Sequence, residues 1–338
     1  MIGLIVTNTP AKALIINPSF DTSWFNNGAT GWNGNLAAAT NVVNNVIAEF
    51  EAAFSNPVTI TLAFGLGETE GSPVTSGASA NITGTNYNQN YTLAQVEALY
   101  HAAATAPGAT NVLKTADANL PAAYPHPGGR TIGGVPAFII PDSEYIALTG
   151  LAQNADTIDG FTGYAVNFCG GGTCPYDFTG GVPAANAIDF TAVVEHEVTH
   201  AMGRIDYAFA AAPQPLTPLD FFKYNRCPGG TLDPNFDITC FSYDGGATNP
   251  GGRTFSNSSD SSDWINFGAD SFNAFINQGV FASISTADIQ EMCALGWNDN
   301  SVCGTAAVPE PSTLGLLSFS LLGVAILRRR RQDRPHSA

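Results

Sequence analysis

The sequence predicts an α+β domain with a loop-rich C-terminal part, and three observations carry this. Residues 56–65, NPVTITLAFG, place Val58, Ile60, Leu62 and Phe64 at alternate positions, the period of a half-buried strand. Residues 36–54 place Val42, Val43, Val46, Ile47, Phe50 and Phe54 at helical spacing. From 204 to 285 the chain offers only short apolar islands, TPLDFFKY, FSYDGG and SSDWINF, between runs of Gly, Asn, Ser and Asp. Long connections of this kind commonly surround a functional site.

The remaining elements follow in order. Residues 65–90 are Gly-, Ser- and Asn-rich and read as a loop. TLAQVEALYHAAATA (92–106) reads as a helix that Thr92 caps, with Gln95 three residues on, and that Pro107-Gly108 ends. VPAFIIP (135–141) and GFTGYAVNFC (160–169) read as strands. IDFTAVVEHEVTHAMG (188–203) reads as a helix with Asp189 as N-cap and Gly203 at its C-terminal turn. STADIQEMCALGW (285–297) is a final short helix, and no internal repeat is visible.

The chain has 338 residues, of which 44% are hydrophobic and 12% charged, with 35 Gly and 21 Pro. That composition suits a globular, loop-rich protein and not a disordered one. The net charge of −16 is unevenly spread, because Arg328 to Arg331 and Arg334 cluster at the end. Residues 1–307 carry 7 basic and 26 acidic side chains. A body this acidic argues against nucleic acid or an anionic membrane as partner, and suits solubility and calcium tolerance outside a cell. Six cysteines fall into three local pairs, 169 with 174, 227 with 240 and 293 with 303. An even count in such a chain suggests disulfides and export, although six cysteines allow about 15 connectivities.

Both ends read as targeting segments. Ala11-Lys12-Ala13 fits a signal-peptidase site, so residues 1–13 read as a truncated signal peptide. No positive region precedes it and the apolar run Met1–Val6 is short, which leaves an N-terminal strand as the alternative. At the other end, VPEPSTLGLLSFSLLGVAILRRRR joins Pro309-Glu310-Pro311, an apolar span over 312–327 and an arginine cluster. In motif and layout this resembles the PEP-CTERM sorting signal of Gram-negative bacteria. The resemblance implies recognition by an exosortase-type enzyme, transient anchoring in the inner membrane through 312–327, cleavage near the motif, and release or attachment at the cell surface. A plain C-terminal anchor is the alternative, and it too places the body outside the cytoplasm. The division is then a body over 14–305 and a sorting signal over 306–338.

The chemistry lies in VVEHEVTHAMGRID (193–206). Residues four apart on a helix share one face, so His196 and His200 can hold one metal ion. Two imidazoles and a carboxylate make a catalytic zinc site that keeps a position open for water. Glu197, next to the first histidine, suits a general base. Asp206, beyond the Gly203 turn, is the expected third ligand, with Asp220 in TPLDFFKY as its rival.

The run His196-Glu197-x-x-His200-x-x-Gly203-x-x-Asp206 resembles the metzincin zinc motif in its aspartate variant. That resemblance implies a zincin-like fold with a mixed sheet and an active-site helix, peptidase activity, and an edge strand that pairs with an extended protein or peptide substrate. GFTGYAVNF would be that edge strand or an ordinary one within the sheet. The order of PLDFF, YDGG, DWINF and LGW is also similar to PEP-CTERM metalloproteases. The family's methionine turn has no clear counterpart, since Met202 lies inside the motif and Met292 in the last helix.

Other groups are weaker. Tyr207, Tyr224 and Tyr243 each carry a hydroxyl that could stabilise an oxyanion. His101 reads as a half-exposed helix residue and His126 as a loop residue. DSSDW (260–264) and DPNFD (233–237) carry ligand types that suit Ca2+ but also read as Asx-rich turns. The expectation is an exported zinc endopeptidase with His196, His200 and Asp206 as ligands and Glu197 as base. The alternatives are a non-enzymatic surface or matrix protein with a structural or decayed motif, and a zinc hydrolase acting on a non-peptide bond.

Overall fold

The computed structural model describes residues 13–304 except 82–89, 125–130, 133–134, 153–156, 171–173, 208–214, 234–237, 258, 266–267 and 300. The expected signal peptide, His126, most of DPNFD and the C-terminal sorting segment lie outside the described residues. The architecture is a mixed α+β arrangement with six α-helices among the described residues.

The main sheet has four strands: β1 (Ile15–Phe20), β2 (Thr59–Leu66), β3 (Ala78–Asn81) and β4 (Gly160–Tyr164). Their spatial order is β1-β2-β4-β3. The β1–β2 and β2–β4 pairs are parallel, with Ile16 opposite Ile60 and Phe64 opposite Thr162. β3 runs antiparallel to β4, with Ala80 opposite Thr162. Of the two readings of GFTGYAVNF, edge strand or ordinary strand within the sheet, the structure has the second, and the strand stops at Tyr164. The edge is β3, from the segment read as a loop. Its sequence, ASAN, has no strand formers, so pairing on β4 and packing against the helix behind it outweigh local propensity.

Helix α1 (Leu36–Ala53) buries Val42, Val43, Val46, Ile47 and Phe50, as the spacing predicts. It packs on β1 and on α5 (Phe190–Ala201), and α5 in turn lies against β3 and β4. Aromatic rings fill the space between sheet and helices: Phe190 contacts Tyr176 at 4.8 Å, Tyr164 at 5.2 Å and Trp32 at 5.4 Å between centroids. Rings at these separations add specificity to their large buried area.

Helix α2 (Leu93–Thr105) starts with the expected capping box, Thr92 and Gln95 satisfying each other's backbone N–H groups. It packs with α3 (Asn111–Ala118), which Thr110 caps and which buries Val112, Leu113 and Ala116 at helical spacing, and with α4 (Asp142–Thr149), which the sequence does not signal. The reason for α4 is plain: DSEYIALT buries Asp142, Ser143 and Glu144 with Ile146 and Leu148, so it shows no amphipathic period. The strand read at 135–141 spans Val135–Phe138 and belongs to a small separate sheet.

The second half is irregular, as expected, and is held by long-range bonds. Disulfides join Cys169 to Cys174, Cys227 to Cys240 and Cys293 to Cys303. Trp264 is fully buried and its indole N–H donates to Asp288 at 2.7 Å, on α6 (Thr286–Ala294). Trp297 donates to the carbonyl of Met202 at 2.9 Å, tying the chain after α6 to the end of α5. Met202 and Met292 are both core residues. Among the described residues no helix is long and apolar enough to cross a membrane.

Candidate metal centre

Helix α5 carries the centre. Asp189 caps its start, its carboxylate accepting from Thr191 N at 3.0 Å and Ala192 N at 3.4 Å. Nearly the whole helix is buried, so the orientation of His196 and His200 is fixed by packing and not by solvent. Gly203 ends it with φ of 123°, and a Cβ there would stand 2.8 Å from Glu144 Cβ. Only glycine fits this turn without strain.

The two imidazoles point at one place, with Nε2 atoms 2.9 Å apart. The other nitrogen of each ring is engaged by a backbone carbonyl: His196 Nδ1 donates to Ser271 O at 2.7 Å, and His200 Nδ1 donates to Arg204 O. A carbonyl only accepts, so both Nδ1 atoms carry hydrogen and a neutral ring presents its Nε2 lone pair inward. Glu195 supports this from behind, because its carboxylate accepts from the Ser271 hydroxyl. Burial pushes the Glu195 carboxyl up to about 8.

The third group is Asp263. Its Oδ1 lies 3.3 Å from His196 Nε2 and 3.1 Å from His200 Nε2. Burial alone would raise this carboxyl, but the positive charge that His196 and His200 carry when protonated holds it well below the usual carboxylate range. One ligand atom from each of His196, His200 and Asp263 lies within 4.8 Å of the others, and no second such cluster forms among the described residues. Two imidazole nitrogens and a carboxylate oxygen are a donor set that suits zinc. These donors converge in a buried place at the side of a cavity, so the residues present fit the metal.

Asp206 does not join this group. Its carboxylate is bonded by the Lys223 ammonium and the Ser261 hydroxyl, although it lines the same cavity. The turn after α5 explains the difference. Arg204 N bonds back to Thr199 O at 3.1 Å and Ile205 N to Gly203 O at 2.8 Å, which aims Arg204 at the histidines and carries Asp206 away to Lys223. Asp220, the rival, is the third residue of the short 3-10 turn Pro218–Phe222, which Thr217 caps, and it accepts from Thr217 N at 2.7 Å. In DSSDW, Asp263 faces the histidines while Asp260 accepts from Ser262 N at 2.8 Å in a local turn.

The cluster opens into a cavity of about 520 Å³. Glu197 lines it beside the histidines, and burial pushes its carboxyl up to about 7. Gly77 to Asn81, covering edge strand β3, form one wall. Phe168, Val193, Phe275 and Ile276 give an apolar part, and Asp260 a charged one. Of the three tyrosines, Tyr207 lines the cavity, whereas Tyr224 is a buried strand residue and Tyr243 packs on Phe241. His101 is exposed on α2, 3.2 Å from Asp117.

Residues 307–331 match the PEP-CTERM protein-sorting motif. That motif implies recognition by an exosortase-type sorting enzyme and export to the cell envelope. No curated protein and no solved structure matches the chain. The match covers the tail alone, so the metal centre rests on its own geometry.

Two residues of the centre escape sequence reading. Asp263 is visible only as a calcium-type residue in an Asx-rich stretch. Arg204 leaves a faint trace, as one of seven basic residues before position 308, set inside the motif.

Proposed function

We propose that this protein is an exported zinc-dependent endopeptidase, with His196, His200 and Asp263 as the zinc ligands and Glu197 as general base. The observation that carries the reading is the convergence of the two Nε2 atoms and Asp263 Oδ1 at the floor of a cavity that Glu197 also lines. Zinc, when bound there, would polarise a carbonyl and acidify water. The chain supplies the rest. Ser271 O and Arg204 O orient the two rings. Glu197, which lines the cavity beside the histidines, can accept a proton from water and return it to the leaving nitrogen, a role that suits a carboxyl raised towards neutrality.

A peptide is the substrate the cavity favours. β3 is an edge strand, and a peptide laid along it can pair by its backbone while its side chains enter the cavity. A closed structural zinc site needs four protein ligands, whereas three converge among the described residues, and all three line the cavity. The PEP-CTERM tail suits an enzyme that works at or beyond the cell surface.

The test is zinc content and casein hydrolysis of the whole chain, wild type beside Glu197→Ala. One zinc per chain in both, with hydrolysis by the wild type alone, supports the reading. Well-folded wild-type protein that takes up no zinc would end it and leave a surface protein with a vestigial motif.

A further inference from the structure

We infer that Arg204 is the positioning residue that carries Asp263 to the two histidines. This rests on the zinc-site reading above. The Arg204 side chain is fully buried. Its guanidinium bridges two parts of the chain that share no secondary structure. Towards α5, Nε donates to Thr199 Oγ1 at 3.2 Å and Nη2 to His196 O at 3.2 Å. Towards the distant loop, Nη1 donates to Ser262 O at 2.8 Å and to Asp263 Oδ1 at 2.7 Å. Nη2 also stands 3.1 Å from His200 Nε2, the lone pair that the metal would take.

The shape of the group matters more than its charge. A planar fork can hold a helix carbonyl on one edge and a loop carboxylate on the other, which a single ammonium cannot do with fixed geometry. The ring of Phe272 covers the fork, its centroid 4.1 Å from Cζ, and this leaves the guanidinium little freedom to turn. Asp263 is itself the counter-charge of the fork, 2.7 Å from Nη1, whereas Glu291 of α6 is fully buried and burial holds its carboxyl well above its ordinary value, with Arg204 the first group to draw it back down. Without the fork, Asp263 would be a buried carboxylate lacking its strongest donor, with nothing to keep Oδ1 on the histidines.

The experiment is zinc affinity of the whole chain by competition with a chromophoric chelator, for wild type, Arg204→Lys, Asp263→Asn and the double variant, with thermal melting alongside. Loss of an outer-shell partner typically weakens metal affinity about 10–100-fold. Arg204→Lys should lose affinity by that factor while still melting cooperatively, and should cost nothing further in the Asp263→Asn background. Wild-type affinity in Arg204→Lys overturns the inference. So do full, additive losses in the double variant, because Arg204 would then act independently of Asp263. Loss of cooperative melting in Arg204→Lys also overturns it, since the arginine would then be holding the fold and not the ligand. A wild-type chain that binds no zinc is a separate result: the zinc-site reading fails, and this inference with it.

Discussion

Asp263 Oδ1 is 2.7 Å from Arg204 Nη1 and 3.1 Å from His200 Nε2, so one carboxylate oxygen answers both to a permanent cation and to a histidine of the candidate metal cluster. The carboxylate that completes the cluster thus comes from the irregular half of the chain, although the motif itself already contains an aspartate.

Exchanging the two aspartates separates their roles. Asp263→Ala should lower zinc from one per chain to near zero, and Asp206→Asn should leave it in place. Metal analysis after gel filtration reads this directly. The reverse pattern would return the third-ligand role to Asp206.

Acidity should stabilise the fold through Glu144. Burial holds this carboxyl well above its ordinary value, and Tyr100 OH donates to it at 3.2 Å. The folded protein keeps a proton that the unfolded chain releases near pH 4.5. This contribution is full below that pH and is lost as pH rises towards the folded pKa, at about 1.4 kcal/mol per pH unit. Glu144→Gln keeps the acceptor and removes the titration. Its melting temperature should fall less than that of the wild type between pH 5 and pH 8. Parallel curves would show that Glu144 does not carry the dependence.

Gly203→Ala should cost about 2 kcal/mol or more, because it forces a side chain into a left-handed turn against Glu144. Zinc affinity should fall with it, since Arg204 O orients His200. A melt and a zinc titration equal to those of the wild type would show that the turn can relax freely.

Opening the Cys227–Cys240 bridge, with both residues changed to Ser, should cost about 3 kcal/mol by loop-closure entropy. Urea unfolding of the oxidised protein measures the difference. An unchanged midpoint would mean that the loops it closes are held by packing alone.

How much of this is legible in the sequence depends on where each signal resides. The histidines and Glu197 are legible because the helix fixes their relation locally: a four-residue step is one turn. Thr92, Asp189 and Gly203 are legible for the same reason, since caps and C-terminal turns are local chemistry. β3 is not, because ASAN becomes a strand only through its partner Tyr164-Gly163-Thr162-Phe161. Asp263 is not, because a carboxylate brought in by a distant loop leaves no spacing to read. Arg204 hides behind the pattern around it, and its five donors acquire meaning only when Ser262 and Asp263 arrive. The disulfides are an intermediate case, in which proximity along the chain suggests the partners that the fold joins.

The origin of Asp263 in a distant loop has a temporal consequence. A chain emerging from a translocon as far as Ile205 already holds both histidines, yet it holds no third donor. The donor set becomes complete only after the loop carrying Ser262 and Asp263 has docked on Arg204. If the cluster holds zinc as proposed, tight capture of the metal is a late event, and a half-made or misfolded copy has no complete site to fill.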